Sequence, residues 1–165
     1  MEEFGKLETA EVVFERRFAA PRERVWRALT DPEELAGWLA PAEIDLEVGG
    51  SVVLKFDDGD ERGTITEVRP PEVLAYTWNE GETDSLVRFE LLAEGDGTRL
   101  TLRHTFAGEV DLSSYGGGWH HHLEQLVAQV AGMPIEWDRN RYRELKAEYE
   151  RRAQQQREAE LARER

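Results

Sequence analysis

Cysteine is absent from this chain of 165 residues, which excludes disulfides, thiolate catalysis and cysteine metal sites together. Also absent is any apolar run near the roughly 20 residues needed to cross a bilayer. The N-terminus shows no basic-then-apolar leader. These absences lead us to expect a cytoplasmic protein that does not enter membranes. Positive charge is scarce: 21 Lys and Arg stand against 35 Asp and Glu, for a formal charge of −14. The deficit is uneven, because residues 138–165 carry 9 basic and 7 acidic side chains, a net +2, which leaves −16 on residues 1–137. An acidic body repels phosphate backbones, so nucleic acid is not an expected partner. The same field disfavours anionic substrates and anionic membranes but not neutral apolar molecules. With 39% hydrophobic and 34% charged residues, the composition suits one soluble globular domain with a sizeable core.

Residues 1–9 are polar and are expected to form a flexible N-terminus. Val12, Phe14 and Phe18 then share one face of an alternating run, a strand. Pro21 opens a helical pattern carrying Val25, Ala28 and Leu29. Asp31-Pro32 offers an N-cap and a first-turn proline for a second short helix with Leu35, Trp38 and Leu39, stopped by Pro41. From Glu43 the period becomes two. Ile44, Leu46 and Val48 alternate, Gly49-Gly50 turns the chain, and Val52, Leu54 and Phe56 alternate again before the turn Asp57-Asp58-Gly59-Asp60. Further strands are expected near 62–69, at Leu74, Tyr76 and Trp78, over 85–93, and from Leu100 to Phe106, the last pair joined by an Asp96-Gly97 hairpin signal. About seven strands joined by short turns imply antiparallel neighbours in one large curved sheet.

Gly116-Gly117-Gly118 reads as a sharp turn into a long helix, Trp119 to Gly132, with Trp119, Leu123, Leu126, Val127 and Val130 on one stripe. The fold class is therefore α+β, with a domain over 10–135 and a charged helical extension over 136–165. Within the extension Tyr142, Leu145 and Tyr149 dock a helix to about residue 152, after which a charged end frays.

Several landmarks carry a family resemblance. They are Pro21 with Val25-Trp26-Arg27-Ala28-Leu29-Thr30-Asp31-Pro32-Glu33, Trp38, Gly49-Gly50, and Leu74-Ala75-Tyr76-Thr77-Trp78. Gly97-Thr98-Arg99-Leu100-Thr101-Leu102 and Gly118-Trp119 with Leu123 complete the series. In this order the chain resembles the helix-grip fold of the START-like (SRPBCC) superfamily, in the branch similar to the C-terminal domain of the activator of Hsp90 ATPase. The resemblance implies a curved antiparallel sheet wrapped around a long C-terminal helix, often with a cavity for apolar ligands between them. It spans residues 12–132 and implies nothing for residues 138–165. One fold carries many functions, so activity must come from the site.

The aromatic inventory is the strongest functional signal. On the implied fold, Tyr76, Trp78, Phe89, Phe106 and Trp119 would line the cavity with Leu123 and Leu126, while Trp26 and Trp38 anchor the small helices. His104 shares a face with Leu100, Leu102 and Phe106; it would either bond a ligand's polar group or act as a general base, unless it is a core histidine tied to a polar neighbour. In the triplet His120-His121-His122, successive residues turn by about 100°, so three in a row cannot converge on one ion. With the apolar stripe inward, His121 points to solvent and His122 reaches the cavity rim. No metal site and no cofactor is expected. Asp57, Asp58, Asp60 and Glu61 lack the ligand spacing of a calcium loop and read as a solvated turn. The glycine run lacks the lysine of a phosphate loop.

Three functions compete on these residues. The first is a non-catalytic carrier or sensor of a small apolar or aromatic ligand. The second is a cyclase- or hydrolase-like enzyme using His104 or His122, and the third is an Hsp90-activator-like interaction module. A protein partner or a homodimer would dock through residues 138–152.

Overall fold

The structure, a computed structural model, describes residues 4–8, 11–80 and 84–164, with the backbone alone for 6–8. Among the described residues, eight strands form one antiparallel sheet in the order β1-β2-β8-β7-β6-β5-β4-β3. These are β1 (Lys6–Glu8), β2 (Glu11–Phe18), β3 (Ala42–Ile44), β4 (Ser51–Phe56), β5 (Gly59–Arg69), β6 (Val73–Trp78), β7 (Ser85–Glu94) and β8 (Gly97–Phe106). Helices α1 (Arg22–Thr30) and α2 (Pro32–Trp38) connect β2 to β3, while α3 (Leu112–Val130) and α4 (Arg139–Arg163) follow the sheet. This is the α+β helix-grip architecture, with one strand more than the alternating pattern reveals.

Strand alternation places the core. Val12, Phe14, Val87, Phe89, Leu91, Leu100 and Leu102 are buried on the face that meets α3, where Trp119, Leu123 and Leu126 answer them. Each fully buried side chain of this kind contributes about 1.5–3 kcal/mol. The short helices are fixed by polar ties. Asp31 caps α2 by accepting from the Glu33 N–H at 3.0 Å, and the Trp38 indole donates to the Ala28 carbonyl at 2.7 Å. Arg24 donates both to Glu34 at 3.1 Å and to the Gln129 carbonyl at 3.1 Å, joining α1, α2 and α3.

Four expectations need correction. Lys6–Glu8 form a strand, so the flexible N-terminus does not extend over them; residues 1–3 and 9 lie outside the described residues. The run Ile44-Leu46-Val48 is not one strand: β3 ends at Ile44, and local turn bonds such as Glu47 N–H to the Asp45 carbonyl at 2.8 Å leave Leu46 and Val48 exposed.

The glycine run is not a turn but the second turn of α3. That helix starts at Leu112, where Asp111 accepts from the N–H groups of Ser113 and Ser114 at 3.1 and 3.4 Å. Tertiary packing overrides glycine's poor helix propensity here: a Cβ on Gly117 would stand 2.8 Å from the Lys146 backbone nitrogen, so only glycine lets α4 approach this closely. Finally, α4 does not fray near residue 152 but continues to Arg163. Leu145 and Tyr149 bury its first half against α3. Helix-favouring Gln, Glu, Ala and Arg carry the rest, with pairs four apart such as Gln154–Glu158 at 3.1 Å.

Candidate functional site: an aromatic cleft beside His122

Two indoles, Trp78 at the end of β6 and Trp119 on α3, meet with ring centres 5.4 Å apart. A histidine flanks the Trp119 ring on each side. His104, on β8, is fully buried and stacks on Phe106 at 4.2 Å. The Trp119 Nε1–H donates to its Nδ1 at 3.0 Å, which puts the proton on Nε2 and directs it to Ser85 Oγ at 2.9 Å. Ser85 in turn donates to the Trp78 carbonyl at 2.9 Å. Every polar side-chain atom in this Trp119–His104–Ser85 relay is occupied, and burial pushes the imidazole down to about 3. His104 is the core histidine tied to polar neighbours, held neutral with its basic nitrogen already accepting a bond.

The triplet diverges as helix geometry requires, although α4 changes where each ring goes. His121 does not face solvent, as the apolar stripe led us to expect. It is buried beneath the α3–α4 connection, where its Nε2 accepts the Asp138 N–H at 2.8 Å and its Nδ1 lies 2.9 Å from Glu124. Glu124 also holds Arg141 of α4 at 2.6 Å. His120 is fully buried on another face. Tyr149 accepts the Gly5 N–H at 2.8 Å and donates to His120 Nδ1 at 2.8 Å, leaving Nε2 without a partner among the described residues. Desolvation, and behind it Arg16, His121 and Arg152, pushes His120 down to about 4. Among the described residues, no three His, Asp or Glu side chains come together to hold a metal ion.

Of the three, His122 lines a cavity. The Gln125 amide satisfies both its ends when its nitrogen donates to the Trp38 carbonyl and to His122 Nδ1, each at 3.0 Å, and its oxygen accepts the Trp137 N–H at 3.1 Å. His122 Nδ1 is then an acceptor. Its proton sits on Nε2, which has no protein partner among the described residues. Burial, the largest cause, lowers this ring to about 4, so it is neutral at pH 7.

The cavity is a cleft of about 380 Å³, open to solvent, between the β4–β5 hairpin, the end of β6 and the first half of α3. Its apolar walls are Phe56, Trp78, Tyr115 and Trp119, with His122 at one end. Asp58, Asp60 and Glu61 form the rim. The Tyr115 hydroxyl donates to the Asn79 carbonyl oxygen at 2.8 Å, and the Asn79 amide nitrogen donates to the Glu61 carboxylate, which fixes the tyrosine ring. Asn79 has φ of 59°, a left-handed conformation that asparagine tolerates better than most residues.

Of the nine side chains expected to line a cavity, Trp78, Trp119 and His122 do so. Tyr76, Phe89, His104, Phe106, Leu123 and Leu126 are packed in the core, none more than 5% exposed. The interior between sheet and helix is thus filled by these six side chains and opens at the hairpin end. Sequence reasoning missed Phe56, Tyr115 and Asn79. The acidic turn at Asp57–Asp60 was the available signal, since it marks the hairpin that forms the cleft's outer lip.

Comparison with known proteins matches this architecture. Residues 19–131 fit the family model of Activator of Hsp90 ATPase homolog 1-like protein. CalU16 from Micromonospora echinospora is 33% identical, with 82% of this chain and 83% of that one covered and a TM-score of 0.71. A protein encoded by gene BPP1335 from Bordetella parapertussis is 30% identical over 92% of this chain and 91% of that one, with a TM-score of 0.76. DynU16, from the dynemicin biosynthetic locus, shares the fold at 23% identity and a TM-score of 0.72, covering 79% of this chain and 51% of that one. Among proteins of curated function, none matches the sequence. Among the described residues, no helix is long and apolar enough to cross a membrane.

Proposed function

The chain belongs to the family of Activator of Hsp90 ATPase homolog 1-like proteins, and from that premise we propose that it is a non-catalytic carrier or sensor of a small aromatic or apolar molecule. The observation that carries this reading is the cleft of about 380 Å³ walled by Phe56, Trp78, Tyr115 and Trp119. Stiff aromatic walls with a few orienting polar groups suit a flat apolar guest. His122 supplies the orienting group, an Nε2–H donor for a hydroxyl or carbonyl oxygen. The acidic rim admits neutral guests and repels anions. Burying roughly 200 Å² of ligand surface yields about 5 kcal/mol, and the cost of immobilisation leaves micromolar affinity as the natural scale.

The enzyme reading is weaker on the same geometry. His104 is sealed and already bonded at both nitrogens. His122 reaches the cleft, but burial has reduced its basicity. Docking of a protein partner or a second copy through residues 138–152 would have to use the outer side of α4, because Leu145 and Tyr149 face α3. A tryptophan-fluorescence titration against fatty acids, sterols and aromatic polyketides tests the carrier reading. Saturable quenching by aromatic compounds, weakened about tenfold in Phe56→Ala, is the expected result. Flat responses across all three classes would sink it.

A further inference from the structure

A second cleft begins where the first one ends. It holds about 520 Å³ and shares Phe56, Asp58 and His122 with its neighbour, but its other wall is Trp137, Arg139, Tyr142 and Arg143. Those four residues lie beyond residue 131, where the family match stops, so the extension builds one wall of this cleft. Its aromatic surface is continuous: Trp137 stacks on His122 at 4.5 Å and lies 5.6 Å from Tyr142.

The charge of this cleft is the reverse of the first. Arg139 and Arg143 stand four positions apart on α4. Neither has an ion pair or hydrogen bond among the described residues. Arg141 between them is taken by Glu124 at 2.6 Å. Lys55 adds a third cation from β4, held only loosely by Glu43 at 3.5 Å. The opposing carboxylates are Asp57 and Asp58 on the hairpin. Among the lining side chains three cations therefore face two carboxylates, on a chain whose overall charge is −14.

We propose that this cleft is a second binding site, selective for a small aromatic carboxylate. The ring lies against Trp137 and Tyr142, and the carboxylate accepts hydrogen bonds from the guanidinium groups of Arg139 and Arg143. Guanidinium suits this task, because its planar fork matches a carboxylate and it sheds water more easily than an ammonium. The general repulsion of anions by the acidic body is overcome locally, since at physiological salt it is screened beyond about 8 Å. The site stands apart from the neutral-ligand reading of the first cleft.

The test uses 2-naphthoate and its neutral analogue 2-naphthamide, titrated into the full chain and followed by tryptophan fluorescence. Naphthoate is expected to bind more tightly than naphthamide, and added salt should narrow the gap. Arg143→Gln and, separately, Arg139→Gln should each weaken naphthoate about tenfold while leaving naphthamide unchanged. The double variant Asp57→Asn with Asp58→Asn should tighten naphthoate. Equal affinity for the two probes, or indifference of naphthoate to both arginine variants, would overturn the proposal. Weaker naphthoate binding in the double Asn variant would overturn it too, showing that the arginines serve the hairpin carboxylates. Naphthoate binding that depends on Arg143 while neutral aromatics fail to bind would support this site and refute only the neutral cleft.

Discussion

His104 and His122 lie on either side of Trp119, with ring centres 6.1 and 6.2 Å from the indole, and they have opposite fates. On the His104 side every donor meets an acceptor, so nothing remains to recognise a guest. On the His122 side the ring is bonded at one nitrogen only, and the chain leaves space beside it. Residue type does not separate the two, since both are neutral imidazoles among tryptophans. What separates them is whether the hydrogen-bond chain closes on protein. A buried polar group with all partners present rigidifies a core, while one with a partner missing at a cleft can bind.

The sharpest way to break this comparison is to truncate each histidine. His104→Ala removes a fully buried ring and strands the Trp119 indole N–H and the Ser85 hydroxyl, so we expect a loss of about 3–5 kcal/mol in chemical denaturation. His122→Ala should cost only about 1–2 kcal/mol but should weaken ligand binding. Comparable losses in the two variants would erase the distinction between sealed and open sides.

Acid sharpens it next. His104 titrates at about 3, and His120 and His122 at about 4, all below the ordinary 6.5. A histidine whose folded value is depressed is protonated more readily in the unfolded chain. The stability it confers is therefore fully present above about 6.5 and is lost as pH falls toward the folded value. Urea midpoints should fall steadily from pH 7 to 4.5, with each such histidine contributing about 1.4 kcal/mol per pH unit below 6. His104→Gln should make the slope shallower. Ligand affinity should stay flat from pH 8 to 5, because His122 remains neutral throughout.

Two neighbouring glycines give a smaller contrast of the same kind. Gly117→Ala drives a methyl against the Lys146 backbone and should cost about 1–3 kcal/mol. Gly118 borders the cleft, and a Cβ there meets only Tyr142 Cε1 at 3.9 Å, so Gly118→Ala should raise stability by about 0.5–1 kcal/mol through helix propensity. Thermal melts of the two variants decide it. Smallest of all, Tyr115→Phe removes the bond to Asn79 and should cost about 1 kcal/mol, with a looser cleft wall.

Local pattern made much of this fold legible. The alternation through Leu100, Leu102, His104 and Phe106 gave β8, and Asp31-Pro32 gave the start of α2, because period and capping act within a few residues. The errors came where distant elements decide. Gly116–Gly118 and His121 were misread because both depend on α4, whose docking reverses which side of α3 is exposed. The candidate site was legible only in part for the same reason. Trp78, Trp119 and His122 were visible as aromatic or titratable residues near a helix. Phe56 and Tyr115 take their roles from how the β4–β5 hairpin leans toward α3, which no local spacing encodes.

The most direct test of the open cleft is an NMR titration of the full chain with 1-naphthol, following side-chain signals. The account predicts saturable shifts at the Trp78 and His122 rings and at Tyr115, with the His104 ring tautomer and its bond to Trp119 unchanged. Shifts spread evenly over surface residues, or none at His122 and Trp78 at millimolar probe, would contradict it.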